Sequence, residues 1–124
     1  MNLVDSCGWL EFFADGPNAG FFARPIEDVA KLLVPTICLL EVFKRVCEQR
    51  GEQAALQAVT HMQEGRVAPL DVATALTAAR ISCELKLSLA DSVILATART
   101  NKAVIWTQDA DFERIPGVRY KPKQ

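Results

Sequence analysis

The sequence has 124 residues and a formal net charge of −1, half of them apolar and 23% charged, which reads as one ordinary globular domain large enough to bury a single core. The balance lacks the basic stripe that marks many nucleic-acid binders, although carboxylates gathered around a cation would mask basic residues placed elsewhere. One histidine and four cysteines without Cys-x-x-Cys spacing argue against a zinc site and against a histidine-based nucleophile.

In chain order, Leu3-Val4, extended at most to Asn2, predicts a short buried strand, and Asp5-Ser6 a helix start. That helix runs through Trp9, Leu10, Phe12 and Phe13 and ends at Gly16-Pro17-Asn18, with Pro25 expected to open the next one. Leu32-Leu33-Val34-Pro35 reads as a second strand, since the residue before proline favours extended backbone. Thr36 is the expected cap of a long helix to about Gln49, stopped by Gly51. A further helix covers Glu52 to Glu64, followed by a strand candidate at Arg66–Leu70 and two helices at Asp71–Lys86 and Leu89–Thr100. Ala103–Thr107 is the clearest strand, and Val118–Tyr120 an edge strand. Short apolar strands alternating with helices predict an α/β fold with a central, mainly parallel β-sheet flanked by α-helices, in a single domain over residues 1–124.

The first residues lack the basic start and apolar run of a secretory signal, and no stretch approaches the roughly 20 apolar residues of a membrane helix. The expectation is therefore a cytoplasmic protein with no membrane partner. In that setting Cys7, Cys38, Cys47 and Cys83 are expected as reduced, mostly buried thiols. His61 lies in a polar helical stretch.

Sites in open parallel sheets form beyond the carboxyl ends of the strands. Asp5 directly follows the first strand, and Asp109 follows the clearest strand by two residues, with Asp111 close behind. Glu41 and Asp91 would join them if their helices pack alongside. Simpler readings remain open for three of these. Asp5 could cap the first helix, Ser88-Leu89-Ala90-Asp91 has the form of a capping box, and Asp109-Ala110-Asp111-Phe112 could be a turn. Glu41 is harder to dismiss, because it lies among Leu39, Leu40, Val42 and Phe43, and an unpaired buried carboxylate is costly.

The Leu-Val-Asp-Ser start, Glu41 in a helix after Val34-Pro35-Thr36, Leu89-Ala90-Asp91-Ser92 opening an alanine-rich helix, and Thr107-Gln108-Asp109-Ala110-Asp111-Phe112 after a strand together resemble a PIN domain. Their order and spacing are similar to those of the virulence-associated protein C (VapC) toxins of prokaryotic toxin–antitoxin pairs, from about Asn2 to Tyr120. The resemblance implies an endoribonuclease requiring Mg²⁺ or Mn²⁺, a cognate antitoxin, and a site in which Asp5, Glu41, Asp91 and Asp109 take the four metal positions. By the same resemblance Asp111 matches a fifth, more variable acid and Thr107 a hydroxyl position beside the site. Ser6, next to Asp5 in the opening motif, is a second supporting hydroxyl.

Carboxylates without histidine or cysteine make an all-oxygen donor set suited to Mg²⁺ or Mn²⁺. Two like charges about 4 Å apart repel by roughly 4 kcal/mol at an effective dielectric of 20, so such a cluster requires a cation or protonation. Lys44 and Arg45, three and four residues after Glu41, are candidate contacts for RNA phosphate or simply a solvated helix face. Phe12, Phe13, Phe21 and Phe22 read as core, or else as a groove for a partner helix, and Trp9 and Trp106 as core or interface. Self-association into a homodimer is expected to widen the RNA-binding surface. Two other functions compete: a non-catalytic module using its acidic pocket for a cation or partner, and a phosphoryl-transfer enzyme with Asp5 as nucleophile. The second usually needs another aspartate two residues on, where this chain has Cys7.

Overall fold

A computed structural model describes residues Met1–Gln124. The five strands are β1 (Asn2–Val4), β2 (Leu32–Pro35), β3 (Arg66–Ala68), β4 (Val104–Thr107) and β5 (Val118–Tyr120). They form one sheet in the order β3-β2-β1-β4-β5, and all four pairings are parallel. The sheet is thus wholly parallel where the sequence predicts mainly parallel. Registers such as Leu3 opposite Leu33 on one side and Ile105 on the other place β1 at the centre. Its inner residues Leu3, Leu33, Val34 and Ile105 are buried, as expected of strands covered on both faces.

Six helices make the crossovers: α1 (Ser6–Phe13), α2 (Ala19–Glu27), α3 (Thr36–Arg50), α4 (Glu52–Met62), α5 (Val72–Leu85) and α6 (Leu89–Thr100). The chain winds outward from β1 to β2 and β3, then returns to β4 on the other side. The order therefore reverses between β1 and β4, which opens a crevice beyond their carboxyl ends. Gly8 lets α1 lie close over this centre: a Cβ there would meet the Phe22 ring at 2.5 Å and Val4 at 2.8 Å.

Three local expectations are corrected. Pro25 lies inside α2 and does not open it. The hydrogen bond its nitrogen would have given is lost, and burial of Phe22 and Ile26 on one face offsets the loss. Thr36 does not cap α3 but is its first residue, with Pro35 at the cap position, and its Oγ1 accepts from the Leu70 N–H at 3.3 Å. All four cysteines are free as expected, but only Cys38 is buried; Cys7 and Cys47 are half-buried and Cys83 is exposed on α5. His61 is half-buried, its ring set edge-on to Trp9, Phe12 and Phe13.

The aromatic pairs divide. Phe22 is fully buried, whereas Phe12 and Phe13 pack on Trp9 and Phe21 packs on Phe22 and Trp106. Both tryptophans are core residues. No helix is long and apolar enough to cross a membrane.

Candidate metal centre

Asp5 leaves the end of β1 with its backbone N–H held by the Trp106 carbonyl of β4 at 3.0 Å. Its side chain caps α1, Oδ1 accepting from the Ser6 N–H at 2.7 Å. The other oxygen, Oδ2, accepts from Thr107 Oγ1 at 2.8 Å, and the Cys7 thiol lies 3.4 Å away. Thr107 is fully buried at the end of β4, and its Oγ1 in turn accepts from the Asp109 N–H at 2.9 Å. One hydroxyl thus fixes Asp5 and the backbone that carries Asp109.

Ser6 Oγ donates to Glu41 Oε1 at 2.9 Å, which ties the α3 glutamate to the turn after β1. On the other side, Ser88 caps α6 by accepting from the Asp91 N–H at 3.2 Å. Asp109 caps a short 3-10 turn, Ala110–Phe112, through a 2.9 Å bond from the Asp111 N–H. The capping roles read from the sequence are therefore present, and they hold the same carboxylates at the crevice. Asp91, Asp109 and Asp111 each offer an oxygen within 4.8 Å of the others.

The electrostatics tie the trio to the inner pair. Burial pushes the Asp91 carboxyl up to about 6, helped by the charges of Asp109, Asp5 and Asp111. Burial also raises Asp5, with Asp109 adding to it, and raises Glu41, with Asp5 adding to it. The Cys7 thiol is pushed to about 12 by burial and by the Asp5 charge, so it stays protonated and serves as a weak donor. The hydrogen bonds reaching Asp5 and Glu41 come from hydroxyls, a thiol and one backbone N–H. An all-oxygen cluster in which burial and neighbouring charges raise Asp5, Glu41 and Asp91 fits a hard divalent cation.

The structure thus brings together Asp5, Ser6, Glu41, Asp91, Thr107, Asp109 and Asp111. Asp111, expected as the more variable fifth acid, sits within the tight trio, while Asp5 and Glu41 form the pair joined by Ser6. The two candidate cations separate. Arg45 lines a groove that reaches Cys7, and Lys44 lines a different, shallow hollow with Leu40 and Phe43. Sequence reasoning missed Gln108 and Asn18, which are buried and joined by a 3.0 Å side-chain bond. The position of Gln108 between Thr107 and Asp109 was a usable signal; Asn18 offered none.

The same fold occurs in a toxin–antitoxin complex from Klebsiella pneumoniae (TM-score 0.80, 23% identity, 96% of each chain). It occurs in VapC20 of Mycobacterium tuberculosis, a sarcin-ricin loop cleaving toxin (TM-score 0.79, 17% identity, 95% of this chain and 97% of that one). It is also found in DNA-bound VapBC from Salmonella typhimurium (TM-score 0.75, 19% identity, 98% of each chain). No curated protein matches the sequence significantly. The PIN domain family profile matches residues 3–118, nearly the whole length, and with the parallel sheet and the crevice acids this shows that the chain belongs to the PIN-domain family.

Proposed function

We propose that this chain is a single-domain endoribonuclease dependent on Mg²⁺ or Mn²⁺ and the toxin of a toxin–antitoxin pair. The observation that carries the chemistry is the set of carboxylates at the β1–β4 crevice, three of them within 4.8 Å, with Asp91 raised to about 6. Asp91, Asp109 and Asp111, with Asp5 and Glu41 beside them, are the residues that would hold the ion. When bound, it would supply charge to steady the attacked phosphate and to acidify water. The chain's own contribution is positional: Thr107 fixes Asp5 and the backbone of Asp109, and Ser6 fixes Glu41.

The toxin assignment is supported by the structural neighbours, two of which are toxin–antitoxin assemblies and one a sarcin-ricin loop cleaving toxin. The implied partners are an RNA substrate, an antitoxin and a second copy of the chain, all within the cytoplasm.

The test is cleavage of a mixed single-stranded RNA by purified protein treated with EDTA and then given Mn²⁺ or Mg²⁺. Activity should disappear and return. Undiminished cleavage without metal would overturn the mechanism, and no cleavage under any condition would leave a cation- or partner-binding module. The toxin reading has its own test: expression should arrest growth, and co-expression with the neighbouring gene's product should rescue it.

A further inference from the structure

A groove of about 540 Å³ runs between α1, α3 and α4 and ends at Cys7 and Gln108. That end touches the metal centre, because Cys7 lies 3.4 Å from Asp5 and Gln108 stands between Thr107 and Asp109. Arg45, Arg50 and Lys123 line it, together with the amides of Gln49 and Gln57 and a wall that includes Phe13 and His61. The one acid on its lining is Glu11, whose carboxylate accepts from the Asn18 N–H at 2.8 Å.

The orientation of Gln108 follows from its neighbours. The Asn18 side-chain NH₂ donates to the Pro122 carbonyl at 3.0 Å, and a carbonyl can only accept. The same NH₂ donates to Gln108 Oε1 at 3.0 Å. Turning either amide around would set two acceptors or two donors face to face. The oxygen of Gln108 is therefore taken, and its NH₂ is the group left for whatever enters the groove.

We infer that this groove is the subsite for one nucleotide of single-stranded RNA next to the scissile phosphate, with Gln108 as a fixed hydrogen-bond donor that selects the base. The inference rests on the nuclease reading above and names the part of the substrate that the site grips. The groove has the volume of a small-molecule site. Three cations suit a phosphate backbone, the ring wall suits an unstacked base, and a single strand, unlike a duplex, readily splays one out. A donor held in one orientation favours a base edge that presents an acceptor. Asn18 is the positioning residue.

The experiment uses the full chain and a random-sequence single-stranded RNA 12-mer with Mn²⁺, reading cleavage positions by end sequencing, and KM and kcat separately. Affinity for the same RNA is measured by anisotropy with Ca²⁺ in place of Mn²⁺, and thermal melting confirms folding. Gln108→Leu should flatten the base preference beside the cut by about tenfold. Asn18→Leu, which offers neither donor nor acceptor, should free the Gln108 amide to rotate and broaden the base preference without raising KM. Arg50→Ala and Lys123→Ala should raise KM about 5- to 10-fold across all sequences without changing preference.

A wild-type enzyme without base preference, or a folded Gln108→Leu that keeps the wild-type preference, overturns the inference while the nuclease reading stands. Variants that keep their KM for RNA but fail to retain a protein partner would assign the groove to that protein and also overturn it. If wild-type protein cuts no RNA, the nuclease reading falls and takes the scissile phosphate with it, and anisotropy decides only whether the groove binds single-stranded RNA. Unchanged RNA affinity in Arg50→Ala then refutes it, and a loss of about tenfold supports it. Should Asn18→Leu fail to fold, Gln108→Leu still decides.

Discussion

Asp91 ties pH to stability. Its carboxyl titrates near 6 in the folded chain, against an ordinary value of 3.8, chiefly because of burial and then because of Asp109 and Asp5. A carboxyl raised in this way favours the folded state when protonated, so its contribution is full below about pH 4 and is lost as pH rises through about 6. Asp5 and Glu41 shift in the same direction. Metal-free protein should therefore melt at a higher temperature at pH 5 than at pH 7.5, and excess Mn²⁺ should restore the difference at pH 7.5. A metal-free melting point that climbs over that interval would contradict the coupling. Asp91→Asn should abolish cleavage and flatten the pH dependence. It should also stabilise the metal-free fold by about 1 kcal/mol after solvent screening, measured by urea unfolding. Thr107 makes a separate prediction. Thr107→Val keeps the shape but removes the hydroxyl between Asp5 and Asp109, and supporting hydrogen bonds of this kind are worth about 10- to 100-fold in metal affinity. Titration calorimetry with Mn²⁺ should show that loss, and Thr107→Ser should recover most of it.

Among the elements, the interior strands were readable in the sequence because burial on both faces leaves continuous apolar runs, Leu32–Val34 and Val104–Trp106. The exposed edge strand β3 was harder to bound, and its run stops at Ala68, two residues short of the expected end. The start of α2 was not legible, for a specific reason. Asn18 stands at the cap position but spends its side chain on Gln108 and Pro122, far along the chain, so the local pattern misleads. The acids of the candidate site were legible because Asp5, Asp91, Asp109 and Asp111 each follow a strand or open a helical turn, and because Glu41 stands inside α3 among apolar neighbours. The groove was not, because its walls come from α1, α3 and α4, and only packing reveals that Arg45 and Arg50 face it while Lys44 does not. The fit of α1 over β1 gives a prediction at this scale. Gly8→Ala would push a methyl into the Phe22 ring and should cost about 1–3 kcal/mol. A chemical-denaturation midpoint equal to wild type would show that α1 has room to shift.

For the whole molecule, the exposed apolar side chains bear on the proposed second copy. Val72 and Leu76 sit one turn apart on α5 at 77% and 56% exposure, and Leu89 at the start of α6 is 76% exposed. Such residues favour burial against another chain. Sedimentation should give a dimer at micromolar concentration, and Val72→Glu with Leu76→Glu should give a folded monomer; an unchanged sedimentation coefficient would place the interface elsewhere. The central position of β1 has a further consequence, for the order of events in biosynthesis. β1 pairs with β4, Asn2 opposite Val104, and Asp5 is held by Thr107 across 102 positions of sequence. A chain emerging from the ribosome therefore carries Asp5 and Glu41 long before it has β4, the strand that holds Asp5. Closing so long a loop is slow, and little rewards it until β4 arrives. Under the proposed function, the nascent chain would stay inactive, and its activity would switch on late and all at once.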